Sequence, residues 1–205
     1  MEVYKQSAKI LTKNLSDAEV CKHLERVARV CYKSEDKITD VSAAPMIIKL
    51  LKAQHFSIFE HTTVSISLTT NRAIANELVR HRLASYAQES TRWIKYDNID
   101  IVIDEFYFTE AQIDMLRIAA KFAEQAYKSL IDMGCRQQFA RDILPLCTKT
   151  DIIVTANLRS WFHILNTRLS APSHPYIQCL SELILEELEG ALPTIFGNEY
   201  WKECK

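Results

Sequence analysis

The stretch Thr63-Val64-Ser65-Ile66-Ser67-Leu68-Thr69 alternates polar and apolar side chains, which is typical of a β-strand with one buried face. Asn71 follows it and can cap a helix whose apolar face includes Ile74 and Leu78. This helix leads directly to Arg80. The centre of the chain is therefore predicted to be a strand that runs into a capped helix.

Local patterns predict further elements on both sides of this centre. Ser16 and Glu19 form a capping box that opens a helix near 17–33, and Pro45 suits the start of a second helix. The other predicted elements are a helix that opens at the Thr109–Gln112 capping box and ends near Gly134, a strand over 151–155, a helix over 157–168, and a helix over 176–189 closed by Gly190. Many helices with few strands predict an α+β fold, a helix-rich single domain over 1–205 around a mostly antiparallel sheet.

Composition narrows the class of protein. The chain has 205 residues, 48% of them hydrophobic, which is enough for one sizeable core. Its net charge is -1, whereas a chain that binds nucleic acid is usually basic overall. The sequence contains no apolar run long enough for a membrane span, and its first residues lack the apolar run of a signal peptide. Six cysteines without a CxxC pair indicate reduced thiols, so we expect a cytoplasmic protein. From the charge and the apolar pattern we expect neither nucleic-acid nor membrane partners.

A basic segment, Arg80-His81-Arg82-Leu83-Ala84-Ser85-Tyr86-Ala87-Gln88-Glu89-Ser90-Thr91-Arg92, follows the predicted helix. Between Asn71 and Lys95 five cations and two anions give a net charge of +3. The chain has only three glycines and neither GxGxxG nor a P-loop, so arginine side chains would have to bind any phosphate. The segment is either an anion site or a solvated charged turn.

Helix geometry constrains the two arginines of this segment. Consecutive helical residues point about 100° apart, so Arg80 and Arg82 would face opposite sides of a continuing helix. They could not then close on one small group. The pattern fits a helix end that serves two ligands, a site shared between subunits, or ordinary surface arginines.

Four ordered blocks carry a resemblance to a known family. Arg80-His81-Arg82, seven residues and Ser90 resemble the RHR-x7-S signature of the flavin-dependent thymidylate synthases. Three further stretches resemble that family in the same order, namely His55–His61, Ala140–Leu146, and Asn157–His163 with Arg168. The blocks run from about residue 55 to 175 and cover most of the chain. The chain is thus similar to this family over much more than a short motif.

The resemblance implies an activity and an assembly. Such enzymes methylate dUMP to dTMP, with methylenetetrahydrofolate as the carbon donor and reduced FAD as the hydride donor. NADPH reduces the flavin, and no protein side chain attacks the substrate covalently. The enzymes are homotetramers with active sites shared between subunits. A thymidylate synthase of this kind is therefore the expected function, with dUMP and folate as partners.

The resemblance also implies two sets of site residues. The expected FAD contacts are Ser57, Arg80, His81, Arg82, Gln88, Asn157, Leu158, Arg159 and His163. The expected dUMP contacts are Glu77, Leu78, Val79, Arg80, Gln88, Glu89, Ser90, Thr91, Arg92, Arg141 and Arg168. Arg168 is the expected catalytic residue, because its charge would stabilise negative charge developing on the uracil ring.

Other chemistry is possible at some of these positions. Ser90 could be a nucleophile, but no nearby Asp or Glu would orient a Ser–His pair, so we interpret it as a hydrogen-bond donor to the nucleotide. His55, Glu60 and His61 match neither HExxH nor HxxEH, so no metal is expected. Cys147 lies in a Pro-x-Cys segment that resembles the nucleophile region of the folate-only thymidylate synthases. We interpret it as a small buried residue.

The chain departs from the family pattern at three places. The connection between Arg168 and His174 is longer than usual, Trp93 replaces a common tyrosine, and Glu89 adds a negative charge beside the expected anion site. Two rival functions remain at this point. One is a nucleic-acid-binding module that uses the basic 72–95 segment, which predicts steep salt dependence. The other is a helical scaffold with a surface charge cluster, in which arginine-to-alanine changes have little effect.

Overall fold

The computed structural model describes residues 1–204, which combine α-helices with short strands. The helices are α1 (Asp17–Val30), α2 (Ala43–Lys52), α3 (Arg72–Leu78), α4 (Glu110–Asp132), α5 (Gln137–Ala140), α6 (Leu158–Arg168), α7 (Pro175–Ala191) and α8 (Pro193–Phe196). The strands are β1 (Val3–Tyr4), β2 (Ser7–Ile10), β3 (Thr63–Asn71), β4 (Ser85–Gln88), β5 (Ile101–Val102) and β6 (Lys149–Asn157). This mixture confirms the predicted α+β class.

The strands form two sheets. The larger sheet has the strand order β2-β3-β6-β4 and is mostly antiparallel, as predicted. The smaller one pairs β1 with β5 in parallel, with Val3 opposite Ile101. On β3, Val64, Ile66 and Leu68 are buried, which confirms the alternation read from the sequence.

Contacts divide the chain into two compact units. The first unit contains residues 1–7, 68–80 and 86–153, and the second contains 8–67, 81–85 and 154–204. The arginine motif is split by this division, since Arg80 belongs to the first unit and His81 to the second. The organisation as a single domain over 1–205 stays a prediction.

In the first unit the long helix α4 contributes buried residues to two apolar clusters. Thr109 and Gln112 form the predicted capping box at its start. Tyr127 of α4 is buried with Ile99 in one apolar cluster, and Ala120 is buried with Ile101 in another. These clusters anchor the chain directly after the 88–97 segment to one helix.

In the second unit the core is aromatic and is centred on α6. The Phe162 ring lies 5.4 Å from the rings of both Phe59 and Phe196. Trp161 is fully buried, and its indole nitrogen donates to the carbonyl oxygen of Val64 at 3.1 Å. Rings packed at these distances fix the axis and rotation of α6, and with them the direction of its polar side chains.

Three predicted features of helix ends differ from the structure. Helix α1 ends at Val30 and not near residue 33. Ser16 is the N-cap residue of α1 but makes no side-chain cap, and Asp17 beside it accepts hydrogen bonds from the backbone nitrogen and hydroxyl of Thr194. Gly190 does not close α7, which continues to Ala191.

The structure also bears on membrane spans and thiols. Among residues 1–204, none of the helices combines the length and the apolar character needed to cross a membrane. All six cysteines are free thiols.

Candidate active site

The helix α3 ends before the two arginines of the basic segment. Asn71 caps its start by accepting from the backbone nitrogen of Ile74 at 3.0 Å, as predicted. Val79 is already the cap at its other end, and Arg80 and Arg82 are exposed beyond it. The helix therefore does not continue through Arg80 and Arg82, so the argument that they face opposite sides of one helix does not apply.

Around this helix end the first unit exposes some of the predicted substrate residues and buries others. Val79 is exposed, whereas the Leu78 side chain is buried. The hydroxyl of Tyr86 donates to the backbone carbonyl of Leu78 at 2.8 Å. Glu77, the residue directly before Leu78, is half-buried. Any contact of Leu78 with a ligand would thus involve its backbone and not its side chain.

The segment from Gln88 to Arg92 is held on strand β6 in the first unit. The Gln88 side-chain amide donates to the hydroxyl of Thr150 at 3.2 Å, and the Glu89 backbone nitrogen donates to the carbonyl of Asp151 at 3.0 Å. Ser90 is exposed, and within residues 1–204 no histidine or carboxylate contacts its hydroxyl. The interpretation of Ser90 as a hydrogen-bond donor to the nucleotide stays a prediction.

Arg92 and Arg141 are both exposed and both tethered to neighbouring polar groups. Arg92 donates to the Gln138 side-chain oxygen at 3.3 Å. Arg141 donates to the hydroxyl of the buried Thr91 at 3.4 Å. Each guanidinium keeps further N–H donors, since arginine has five in a fixed fork. Together they can bind an anion such as a phosphate.

In the second unit Arg168 meets His81. Arg168 lies in the last turn of α6, and its Nε donates to His81 Nε2 at 2.9 Å. The His81 ring lies 5.6 Å from that of His163. Burial, then the charge of Arg168, then His163 lower the pKa of His81 from 6.5 to about 4. His81 is thus a neutral acceptor that orients the guanidinium, because arginine can only donate.

A cavity of about 380 Å³ in the second unit is lined by Ser57 and Arg159. His55 and Tyr32 also line it. Arg159 pairs with Glu60 at 2.5 Å, although its side chain is still 45% exposed. The hydrogen bond to Glu60 raises the pKa of Arg159. The cavity therefore combines apolar walls with a permanent positive charge.

Asn157 and Leu158 serve the start of α6. The Asn157 side chain accepts from the backbone nitrogen of Ser160 at 2.8 Å and caps the helix. The Leu158 side chain is fully buried, and its backbone nitrogen donates to the carbonyl of Thr62 at 3.0 Å. Both residues have structural roles here, so a flavin contact by Asn157 would use its remaining amide hydrogens.

The longer connection after Arg168 is an ordered turn. Ser173 donates to the Thr167 carbonyl at 2.8 Å, and Gln178 donates to the Ser170 carbonyl at 2.9 Å. His174 is the cap of α7, where its Nδ1 accepts from the backbone nitrogen of Tyr176 at 3.1 Å. The extra length is thus absorbed by local hydrogen bonds, and His174 is used for capping.

The expected FAD contacts and the expected dUMP contacts are divided unequally between the two units. Those in the first unit are Glu77, Leu78, Val79, Arg80, Gln88, Glu89, Ser90, Thr91, Arg92 and Arg141. Those in the second unit are Ser57, His81, Arg82, Asn157, Leu158, Arg159, His163 and Arg168. Most expected dUMP contacts thus belong to the first unit and most expected FAD contacts to the second.

Sequence reasoning missed two polar residues of the first unit. Arg72 and Tyr96 both contact Glu89, but neither belongs to any of the four blocks. No local signal marks Tyr96, which lies seven residues beyond Glu89.

Within residues 1–204 there is no cluster of three or more histidine, cysteine, aspartate or glutamate side chains that could hold a metal ion.

Comparison with known proteins assigns the chain to a class and a family. The family model described as thymidylate synthase complementing protein matches residues 14–194. A flavin-dependent thymidylate synthase of Geobacter sulfurreducens is 31% identical over 181 residues, which cover 83% of this chain and 78% of that protein. One of Mycolicibacterium vanbaalenii is 32% identical over 195 residues, with 85% and 78% covered. The protein is thus an enzyme of the methyltransferase class. It belongs to the flavin-dependent thymidylate synthase family.

Solved structures share the fold. A UMP/dUMP methylase PolB from Streptomyces cacaoi, bound with 5-Br dUMP, superimposes with a TM-score of 0.82 at 23% identity over 96% of both chains. The same protein bound with 5-Br UMP gives a TM-score of 0.80 at 19% identity. At this identity the likeness establishes the fold alone.

Proposed function

We propose that the protein methylates dUMP to dTMP, with methylenetetrahydrofolate as the carbon donor, reduced FAD as the hydride donor and NADPH as the reductant of the flavin. The observation that carries this proposal is the contact between Arg168 and His81. It joins the RHR motif to the arginine assigned to catalysis, 87 residues away along the chain. The names of the relatives, flavin-dependent thymidylate synthases, support the same reaction.

Binding of dUMP is assigned to the arginines of the first unit. Arg92 and Arg141 are exposed, tethered and able to offer bidentate donors to a phosphate. Ser90 is exposed between Glu89 and the buried Thr91, where its hydroxyl can donate to the same group. These residues explain how a chain without a glycine-rich loop can bind a nucleotide.

Binding of FAD is assigned to the second unit, whose residues fit such a group. The cavity beside Ser57 is of a size usual for small-molecule sites, and Arg159 supplies a positive charge that suits a pyrophosphate. His163 is exposed on α6, one helical turn after Arg159. When bound, reduced FAD supplies the hydride, a chemistry of the cofactor that the protein orients.

Catalysis is assigned to the charge of Arg168 and not to a covalent nucleophile. A guanidinium held by a neutral imidazole can stabilise negative charge that develops on the uracil ring. Cys147 is partly buried among apolar side chains, and burial raises the pKa of its thiol, which disfavours the reactive thiolate. The homotetramer with shared active sites is part of the proposal, and sedimentation velocity tests it.

A visible spectrum and a product assay test the proposed function. Purified protein incubated with FAD and freed of excess cofactor should show flavin absorption. Adding dUMP, methylenetetrahydrofolate and NADPH should bleach the flavin and form dTMP, whereas omitting dUMP should leave no dTMP. The proposal would be contradicted by a folded protein that does not retain FAD. It would also be contradicted by a protein that forms no dTMP when dUMP, methylenetetrahydrofolate and NADPH are all present.

A further inference from the structure

A three-residue cluster in the first unit surrounds the unusual carboxylate of Glu89. The hydroxyl of Tyr96 donates a hydrogen bond to Glu89 Oε1. Arg72 Nη2 donates to the backbone carbonyl of Glu89 at 3.1 Å and to the hydroxyl of Tyr96 at 3.4 Å. All three side chains are partly buried. Tyr96 therefore accepts from a cation and donates to an anion at the same oxygen.

Tyr96 keeps its proton across the ordinary pH range. Burial, followed by the hydrogen bond to Glu89, raises the pKa of Tyr96 to about 12. Tyr96 thus remains a donor to the Glu89 carboxylate at any physiological pH. Arginine is always charged, so Arg72 places a permanent positive charge beside the pair.

The position of the cluster matters because Glu89 directly precedes the anion-binding residues. Ser90 follows it, and Arg92 lies three residues along. Glu89 has its backbone nitrogen tied to Asp151 and its carbonyl tied to Arg72. A free carboxylate at this point would repel a dianionic phosphate bound by the next residues, since like charges at short range destabilise each other.

We propose that Tyr96 and Arg72 are positioning residues for nucleotide binding, which hold and neutralise the Glu89 carboxylate so that the 90–92 segment can take a dianionic phosphate. This inference rests on the proposed function, since it needs dUMP at that segment. Arg72 also has a buried Nε without a hydrogen-bond partner within residues 1–204, so its side chain is fixed through Nη2 alone. The arrangement stabilises the carboxylate at the cost of one unsatisfied donor.

The proposal predicts that the effects of substituting Tyr96 and Glu89 on the Kd of dUMP depend on each other. Tyr96→Phe should raise the Kd of dUMP, measured by titration calorimetry on the flavin-loaded protein, about tenfold, and raise KM for dUMP more than it lowers kcat. In the Glu89→Gln background the same Tyr96→Phe change should alter the Kd less than about twofold, because the charge to be held is gone. High salt should shrink the tenfold effect.

The chain offers a matched control for the loss of a tyrosine hydroxyl. Tyr4 also donates to a glutamate, Glu2, in the first unit and outside the predicted site. Tyr4→Phe should leave the Kd of dUMP unchanged. If Tyr96→Phe does not fold, Arg72→Gln replaces it, since that change removes the positive charge beside the same carboxylate and should show the same coupling.

Three outcomes separate this inference from the proposed function. Wild-type protein that binds dUMP while Tyr96→Phe binds it equally well overturns the inference and leaves the proposed function standing. An equal loss in both backgrounds also overturns it, because the hydroxyl then has a merely structural role. Wild-type protein that neither binds dUMP nor forms dTMP contradicts the proposed function and the inference together.

Discussion

Arg168 donates its Nε hydrogen to Nε2 of His81 at 2.9 Å, which joins the last turn of α6 to the centre of the RHR motif. His81 is 8% exposed, and its imidazole must be neutral to accept this hydrogen bond. Protonation of His81 would place two cations in contact and remove the acceptor. The pair therefore couples the orientation of Arg168, the arginine that we propose as catalytic, to the protonation state of one histidine.

This coupling predicts acid sensitivity of the fold. The pKa of His81 is lowered from 6.5 to about 4 in the folded protein, so between these values the unfolded chain binds a proton that the folded chain does not. The free energy of unfolding should fall as the pH drops through this window, by at most about 1.4 kcal/mol per pH unit from this group. Well above pH 6.5 the contribution of His81 to the pH dependence vanishes, because the imidazole is then neutral in both states.

His81→Gln isolates that contribution. A glutamine oxygen can still accept from Arg168 but does not titrate. Urea unfolding at pH 7 and at pH 5 should show a smaller loss of stability in His81→Gln than in the wild type. Identical losses in the two proteins would show that His81 does not titrate in this window.

Removing the Arg168 side chain should separate catalysis from flavin binding. Arg168→Ala should retain FAD, because the cavity beside Ser57 and Arg159 is left intact. Its turnover should fall by about 10²–10³, the range for loss of one preorganised charge contact. The turnover is measured by stopped-flow oxidation of the reduced flavin in the presence of dUMP and methylenetetrahydrofolate.

The titration of His81 provides a second readout of the same variant. Because the charge of Arg168 helps to lower the pKa of His81, Arg168→Ala should raise that pKa toward 6.5, as followed by histidine NMR signals. Arg168→Lys is the charge-conserving control. Turnover at the wild-type rate in Arg168→Ala would exclude the catalytic role.

The two asparagines that end the long strands make a matched pair of caps. Asn71 at the end of β3 and Asn157 at the end of β6 each accept from a backbone nitrogen three residues on. Replacing either by alanine should lower the free energy of unfolding by about 1 kcal/mol, as is usual for a lost N-cap. Only Asn157→Ala should also weaken FAD binding, since Asn71 is not among the expected flavin residues. Equal FAD affinity in both variants would remove Asn157 from the flavin site.

Patterns in the sequence predicted those features that depend on neighbouring residues. The alternation along β3 and the caps at Asn71 and Thr109 were predicted because strand faces and helix starts depend on side chains a few positions apart. The capping box predicted at Ser16 is absent, and Asp17 beside it binds Thr194, far along the chain. Local spacing carries no information about such a partner.

The same limit applies to the candidate site. Resemblance to a family placed Arg168 and His81 in the site, but only the fold shows that they touch and that the histidine is therefore neutral. Glu89 was recognised as an unusual charge, whereas its partners Tyr96 and Arg72 could not be. A partly buried hydrogen-bond network is set by tertiary packing, which a pattern of residue types does not determine.

Cys147 provides the sharpest test between two thymidylate synthase mechanisms. Its side chain packs against the cluster of Ile101, Ile103 and Ala120, and burial raises the pKa of its thiol. A nucleophilic cysteine needs the opposite environment, one that lowers the thiol pKa. Cys147→Ala should therefore retain dTMP synthesis and lose only the packing contribution of one small side chain.

Cys179→Ala is the control for loss of a partly buried thiol in the second unit. Both variants should bind FAD, and both should form dTMP at rates within about threefold of the wild type, measured by product chromatography. Thermal denaturation of each variant checks that the protein is folded. Complete loss of dTMP synthesis in a folded, flavin-loaded Cys147→Ala, with Cys179→Ala active, would replace the electrostatic mechanism at Arg168 by covalent attack from Cys147 on the uracil ring.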